Sequence, residues 1–138
     1  ITENVLMADI EHGVQVLQKL NDAGFTITID DYGTGYSSLA YLKKLPLNTM
    51  KIDKSFVLEM AYDENDAVIV RSTIDLAHNL GYQVVAEGVE DQETWDLLEM
   101  LGCDSIQGYH AGRPMCVAHI NDWFKECPWK IGQGSVEA

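Results

Sequence analysis

Hydrophobic positions along the chain switch between helical and strand spacing. Ile10, Val14 and Leu17 recur at helical spacing, and Gly24 lies just past this segment, where a left-handed helix cap belongs. Residues 26–30 then alternate in the manner of a strand, and leucines before the first proline predict a short helical turn. The pattern therefore predicts a helix, a strand and a second helical segment.

The same order of elements repeats through the rest of the chain. The expected elements are a short strand ending near 51–53, a long helix stopped by Gly81, a third strand over 83–87, a helix over 92–101, a fourth strand at "SIQG" and a last amphipathic helix at about 118–124. Strands that alternate with helices predict right-handed crossover connections and a parallel sheet. The fold class is therefore α/β.

Polar side chains end every predicted strand. In chain order they are Asp30 and Asp31, then Lys51 and Asp53, then Glu87, then Gln107. The catalytic groups of a (β/α)₈ barrel converge at the carboxyl ends of its strands, so this pattern favours barrel-type βα units over a Rossmann sheet. Four strands, however, cannot close a barrel of eight.

The charge balance limits the classes of ligand. The 138 residues carry a net charge of −13, which argues against binding a nucleic acid polymer or an anionic membrane surface. A phosphate ligand would need metal ions as intermediaries. No apolar run approaches the roughly 18 residues of a membrane span, and the three cysteines lack CxxC spacing, which fits a reducing cytoplasm. Cys116 and His119 are half a metal site or, more simply, a buried thiol and a surface imidazole.

The adjacent carboxylates of Asp30 and Asp31 allow three interpretations. They are helix caps or turn formers, part of a degraded dinucleotide-binding loop with Gly33 and Gly35, or ligands of a divalent metal ion. Two carboxylates at the mouth of a dinucleotide loop would repel a pyrophosphate. A metal site requires both side chains to face one way, which we expect where the strand gives way to the glycine turn.

Two further strand ends support the metal interpretation. Lys51 alone is an ordinary surface lysine, but Glu87 ends an apolar strand and needs a partner, either a metal ion or Lys51. Gln107 precedes Gly108, which would let a backbone or a ligand approach closely.

Four motifs give the chain a family resemblance. They are "ITE", "IDDYGTGYSSLAYLKKLPLNTMKIDKSFV", "LAHNLGYQVVAEGVE" and "CDSIQGYHAGRP". In order and spacing they resemble the EAL-domain cyclic di-GMP phosphodiesterases of bacteria, with Tyr32 in place of the more usual Phe. The resemblance implies a (β/α)₈ barrel with one antiparallel strand, and hydrolysis of cyclic di-GMP to linear pGpG with two Mg²⁺ or Mn²⁺ ions.

The resemblance also assigns roles to individual residues. Asp30 would bridge both ions, while Asp31 and Glu87 would complete the shell of the second. Lys51 would hold and help deprotonate the attacking water, and Gln107 would help position water and phosphate. The supporting residues are Glu3, which would clasp the loop after the double Asp, together with Asp53, Glu90, Gly33 and Gly35.

The length of the family domain sets the expected organisation. It is about twice this chain, so residues 1–128 are expected to form the C-terminal half of an EAL domain and 129–138 a frayed tail. The Glu-Ala-Leu segment, a metal-binding asparagine and the glutamate before "ITE" are expected upstream of Ile1. The isolated chain is therefore expected to be inactive.

Two functions and several partners follow from this organisation. The parent is a phosphodiesterase or, alternatively, a non-catalytic cyclic di-GMP-binding or protein-interaction module. Expected partners are cyclic di-GMP, upstream sensory or cyclase domains, and a second copy of the open half-barrel. The parent is expected in the cytoplasm or tethered to its membrane.

Overall fold

The computed structural model describes residues 1–2, 10–34 and 39–127. Strands and helices alternate along most of this length. In chain order the elements are α1 (Ile10–Asp22), β1 (Thr28–Tyr32), α2 (Leu39–Leu42), β2 (Thr49–Ile52), α3 (Lys54–Val57), α4 (Glu64–Asn79), β3 (Gln83–Glu87), α5 (Gln92–Met100), β4 (Ser105–Gln107) and α6 (Val117–Glu126).

The strands form one parallel sheet in the order β1-β2-β3-β4. Thr2 adds a parallel bridge to Asp30, and the Asp30 amide donates to the carbonyl of Ile1 at 2.7 Å. Ile1 and Thr2 therefore run alongside the edge of β1 that faces away from β2. The predicted α/β class with parallel βα units is confirmed by this topology.

The core lies between one face of the sheet and the helices. Ile29, Met50, Ile52, Val84 and Ala86 point to this face and are buried. They pack with Leu17 of α1, Leu42 of α2, Val57 of α3, Val70, Ile74 and Ala77 of α4, and Leu98 of α5. Side chains alternate along strands, so the opposite face carries the remaining strand residues, including Asp30, Lys51 and Glu87.

Local signals in the sequence explain the helix boundaries. Asp63 and Asp91 cap α4 and α5, each accepting a hydrogen bond from an amide in the first turn. Three helices end at glycines with positive φ, Gly24, Gly81 and Gly102. None of the described helices has the length and apolar character needed to cross a membrane.

The structure differs from the predicted elements in three places. The first strand spans Thr28–Tyr32 rather than 26–30, so it includes both aspartates. The one-turn helix α3 was not predicted, since four residues are too few to show helical periodicity. The last helix spans Val117–Glu126, longer than 118–124. The predicted tail at 129–138 lies outside the described residues, and the domain division stays a prediction.

Candidate metal centre

A bulge in β1 brings two adjacent carboxylates to one site. Ile29 pairs with Met50 and Tyr32 with Ile52, so three steps of β1 oppose two steps of β2. Within the bulge Asp31 has a φ of 56°, a left-handed conformation that is uncommon outside glycine. The extra residue reverses the alternation of side chains, and it lets Asp30 and Asp31 face the same way.

The origin of this arrangement was predicted incorrectly. We expected the strand to end and a glycine turn to re-aim the second carboxylate, but the strand continues through Tyr32. Gly33 follows it with a φ of 102°, and a Cβ there would lie 2.9 Å from Cε2 of Phe56. The absence of a side chain at Gly33 therefore allows the backbone after β1 to pack against Phe56 of α3. Gly35 and Glu3 lie outside the described residues, so their predicted roles stay predictions.

Three carboxylates from two strands form a compact cluster. Oxygens of Asp30, Asp31 and Glu87 lie within 4.8 Å of one another, and all three residues are half-buried. In the described part of the chain this is the only group of three or more His, Cys, Asp or Glu with such spacing. Like charges this close are unfavourable unless a cation neutralises them.

Lys51 supplies a positive charge to this cluster. Its Nζ lies 2.9 Å from Oδ1 of Asp30 and also contacts Oε1 of Glu87. Burial lowers the pKa of Lys51, but the contacts with the carboxylates of Glu87 and Asp30 and their negative charges outweigh burial and raise it above its ordinary value. Glu87 therefore has Lys51 as the partner that its position at the end of an apolar strand required.

One oxygen of the cluster remains incompletely satisfied. Oδ1 of Asp30 is buried and accepts no hydrogen bond of good geometry from the described residues, although the Lys51 ammonium lies 2.9 Å away. The contact is therefore an ion pair rather than a well-directed hydrogen bond. A buried carboxylate oxygen beside two other carboxylates suits a hard divalent cation such as Mg²⁺ or Mn²⁺. The residues present thus fit the metal site that was predicted.

The remaining predicted residues occupy the same end of the sheet with different roles. Gln107 pairs in register with Glu87, which places it at the same edge, and it is exposed. Asp53 caps α3 by accepting a hydrogen bond from the Ser55 amide at 2.8 Å, so its visible role is structural. Glu90 is exposed in the loop after β3.

Sequence reasoning missed the bulge, although a signal for it exists. Ile29 and Tyr32 are both buried, and they are three residues apart. A regular strand would place residues three apart on opposite faces. Two polar residues between two buried apolar ones therefore indicate a bulge at Asp30 and Asp31.

The second pair considered from the sequence does not extend into a metal site. Cys116 Sγ lies 3.4 Å from His119 Nδ1, and both residues are exposed, so the expectation of a buried thiol at Cys116 is wrong. Among the residues described, no third ligand joins them.

Comparison with known proteins identifies the family. Residues 1–114 match the EAL domain. The chain belongs to the EAL domain family. It is 46% identical over 115 residues to the Pseudomonas aeruginosa bifunctional diguanylate cyclase/cyclic di-GMP phosphodiesterase MucR, covering 83% of this chain and 17% of MucR.

Solved EAL domains have the same fold. The P. aeruginosa MucR phosphodiesterase in complex with c-di-GMP superposes with a TM-score of 0.84 at 44% identity, covering 87% of this chain and 49% of that one. A Klebsiella pneumoniae BlrP1 complex with manganese and c-di-GMP gives a TM-score of 0.76 at 34% identity, covering 82% and 29% of the two chains. The chain thus spans about half of the MucR structure, and its sheet is part of a TIM-barrel-like EAL fold.

Proposed function

We propose that this chain carries part of the active site of a metal-dependent phosphodiesterase that hydrolyses cyclic di-GMP to linear pGpG. The observation that carries the proposal is the cluster of Asp30, Asp31 and Glu87, whose oxygens lie within 4.8 Å of one another at the carboxyl ends of parallel strands. Such a cluster suits divalent cations, and the substrate is an anion that this acidic surface would otherwise repel.

Each residue of the cluster has a distinct proposed role. Asp30, Asp31 and Glu87 would hold the metal, with Asp30 shared between two Mg²⁺ or Mn²⁺ ions in the complete domain. When bound, such a pair of ions lowers the pKa of a bridging water and stabilises both oxygens of an in-line displacement at phosphorus. Lys51, which is paired with Asp30 and Glu87, would orient the attacking water through its ammonium group. It would accept the water's proton only after losing its own, which metal binding would favour by withdrawing the two carboxylates that raise its pKa. Gln107 would orient the phosphate.

Solved relatives support the substrate and the ion. The MucR phosphodiesterase was solved as a c-di-GMP complex, and BlrP1 with c-di-GMP and either manganese or calcium. The Shewanella oneidensis relative PdeB, 38% identical over 125 residues, is named a cyclic di-GMP phosphodiesterase. We infer the same substrate for this chain on the strength of family membership and the carboxylate cluster.

A hybrid domain tests this proposal. It replaces the matching segment of the MucR phosphodiesterase domain with residues 1–127 of this chain, so that a complete EAL domain carries the cluster. We expect Mn²⁺-dependent conversion of cyclic di-GMP to pGpG, detected by chromatography, and its loss in Lys51→Ala. Tight binding of cyclic di-GMP without product in a folded hybrid would instead favour the alternative, a non-catalytic binding module.

The 138-residue chain alone is expected to bind metal weakly and to show no turnover. A single ion cannot stabilise both the attacking and the leaving oxygen.

We also propose that the chain self-associates, because the outer edge of β4 has no partner strand among the described residues. Sedimentation showing a monomer at high concentration would contradict self-association.

The proposed setting is a larger cytoplasmic signalling protein. MucR combines cyclase and phosphodiesterase activities in one polypeptide, and this chain matches 17% of it. We propose that a sensory or cyclase domain accompanies this one in its parent. Among the described residues, Cys103, Cys116 and Cys127 are not joined in disulfides, which is consistent with a reducing compartment.

A further inference from the structure

Two glycines at the carboxyl end of the sheet are unusually crowded. Gly88 directly follows Glu87 and packs against the one-turn helix α3. A Cβ at Gly88 would lie 2.6 Å from Cβ and 3.3 Å from Cα of Lys54. Lys54 is three residues after Lys51, and Asp53 between them caps α3 through the Ser55 amide. The contact therefore joins the strand ends that carry Lys51 and Glu87.

Gly108 makes a closer approach to the next loop. It follows Gln107, and a Cβ there would lie 2.0 Å from the carbonyl oxygen and 2.4 Å from the nitrogen of Val89. The Val89 amide donates to the Gln107 carbonyl at 3.2 Å, and the His110 amide donates to the Val89 carbonyl at 3.0 Å. Val89 is fully buried, so this junction between the ends of β3 and β4 has little room to adjust.

The glycines at the opposite end of the same strands are different. Gly81 and Gly102 precede β3 and β4, with φ of +81° and +74°, and a Cβ built on either meets no described atom within 4 Å apart from its own neighbours along the chain. Gly88 has nearly the same φ, +78°. The crowded glycines of β3 and β4 thus lie at the end of the sheet that carries the carboxylates. Since Gly81 and Gly88 have nearly the same φ, the difference in crowding does not come from backbone conformation.

We propose that Gly88 and Gly108 are positioning residues for the metal site. Gly88 packs against α3, which follows β2, and Gly108 packs against the loop after β3. Together these contacts hold Lys51, Glu87 and Gln107 at the separations that the metal site requires. This inference rests on the proposed function. The absence of a side chain at both positions allows loop-to-loop contact at van der Waals distance. A methyl group at either position would push the strand ends apart and enlarge the site.

Matched alanine variants of the 138-residue chain test the proposal. Gly88→Ala and Gly81→Ala introduce the same residue at nearly the same φ, but only the former meets Lys54. Both should lower the urea midpoint, because alanine disfavours positive φ. Mn²⁺ affinity is measured from the EPR signal of the free ion. It should fall about tenfold or more in Gly88→Ala, the size of effect seen when contacts that support metal ligands are removed. It should not change in Gly81→Ala.

A rescue variant separates positioning from general damage. Lys54→Gly removes the Cβ that would lie 2.6 Å from the methyl group introduced at position 88. The double variant Gly88→Ala/Lys54→Gly should therefore regain most of the lost Mn²⁺ affinity while keeping the lowered urea midpoint. If Gly88→Ala alone does not fold, the double variant is compared with Gly81→Ala instead. Near wild-type Mn²⁺ affinity is expected in both, and a folded double variant that binds Mn²⁺ at least about tenfold more weakly would overturn the role of the Lys54 contact.

The outcomes distinguish this inference from the proposed function. Wild-type chain that binds no Mn²⁺, or binds it equally well with Asp30→Asn, would overturn the proposed metal site itself. Wild-type binding that depends on Asp30, with Gly88→Ala and Gly81→Ala of equal affinity, would leave the metal site intact and overturn the positioning role.

Discussion

The two ends of the parallel sheet differ in how their polar and charged groups are paired. At the amino end, polar groups are paired. The Asn48 side chain accepts a hydrogen bond from the Ile27 amide at 2.7 Å, and Oδ2 of Asp104 accepts one from the Val84 amide at 2.8 Å. His78 lies 2.8 Å from the same Asp104 oxygen, which ties α4 to the start of β4. Each of these contacts fixes where a strand begins.

At the carboxyl end, groups that repel one another are held together. Asp30, Asp31 and Glu87 share one cation, that of Lys51, among the described residues that contact them. Asp31 adopts a φ of 56°, and Oδ1 of Asp30 lacks a well-directed hydrogen bond. These features cost stability, and they persist because the surrounding packing enforces them.

The difference shows where stability and chemistry reside in βα units. The amino end can pair its polar groups internally because ligands of βα barrels bind at the opposite end. The carboxyl end keeps an unsatisfied negative charge, which a divalent ion can complete. Substitutions at the carboxyl end should therefore change activity and metal affinity, whereas substitutions at the amino end should change only the free energy of unfolding.

The largest effect is expected at Asp30. In the hybrid domain, Asp30→Asn should lower cyclic di-GMP hydrolysis at least about a thousandfold, or ~4 kcal/mol in the barrier, because the shared carboxylate loses its charge. Asp104→Asn, at the amino end, serves as the control and should keep near-normal turnover. Chromatographic quantitation of pGpG measures both. Turnover of Asp30→Asn within about tenfold of the parent hybrid would rule out the bridging role.

The next effect is expected on removing the cation. Lys51→Met in the 138-residue chain should lower the free energy of unfolding without metal by about 1 to 2 kcal/mol, after allowing for solvent screening of these partly exposed charges. The same variant should bind Mn²⁺ more tightly, because Lys51 no longer competes for Asp30 and Glu87. Urea titration with and without Mn²⁺ measures both effects.

An exposed lysine provides the control for that experiment. Lys125 pairs with Asp122 at 3.1 Å, with both side chains largely exposed. Lys125→Met should change neither stability nor Mn²⁺ affinity measurably, because exposed ion pairs contribute little. Equal effects at Lys51 and Lys125 would mean that the carboxylate cluster is not a local electrostatic site.

A smaller effect is expected at a buried hydroxyl of the amino end. The Tyr82 hydroxyl lies 2.9 Å from the carbonyl oxygen of Leu42 and 3.2 Å from that of Leu45, and burial raises its pKa. Tyr82→Phe should cost about 1 kcal/mol, since it removes the donor to buried carbonyls. Mn²⁺ affinity should not change. Tyr62→Phe, which removes an exposed hydroxyl, is the comparison and should cost less in the same urea titration.

The smallest effect concerns the pH dependence of stability. Burial raises the pKa of Asp104, but hydrogen bonds from His78 and the Val84 amide outweigh burial and hold it below its usual value. A lowered native pKa stabilises the fold above the unfolded value, about 3.9, and this contribution is lost as the pH falls below it. Asp104→Asn should therefore flatten the decline in unfolding free energy below about pH 4. An unchanged slope would contradict the assignment.

The sequence predicted the order of elements well because local signals mark their boundaries. Gly24, Gly81 and Gly102 end helices in the structure as expected from their positions after periodic segments. It also identified the carboxylates, because polar residues at strand ends are visible without knowing the fold. The lysine partner of Glu87 was one of two alternatives, and the structure shows it.

Other features depended on contacts between distant residues. The bulge at Asp31 is defined by register with β2, and the crowding of Gly108 by Val89 of another loop. The sequence left open whether a backbone or a ligand approaches Gly108, and the structure shows a backbone. Helix α3 was missed because one turn shows no periodicity, although Asp53 is a recognisable cap.

The most direct test of the central claim is a Mn²⁺ titration of the 138-residue chain at constant pH, followed by EPR. The claim is that the carboxyl end of the sheet is a divalent metal site and the amino end is not. We predict binding that is abolished by Asp31→Asn and by Glu87→Gln, and that is unchanged by Asp104→Asn. Binding lost equally in all three variants, or retained in all three, would show that Mn²⁺ responds only to the overall negative charge and would contradict the account.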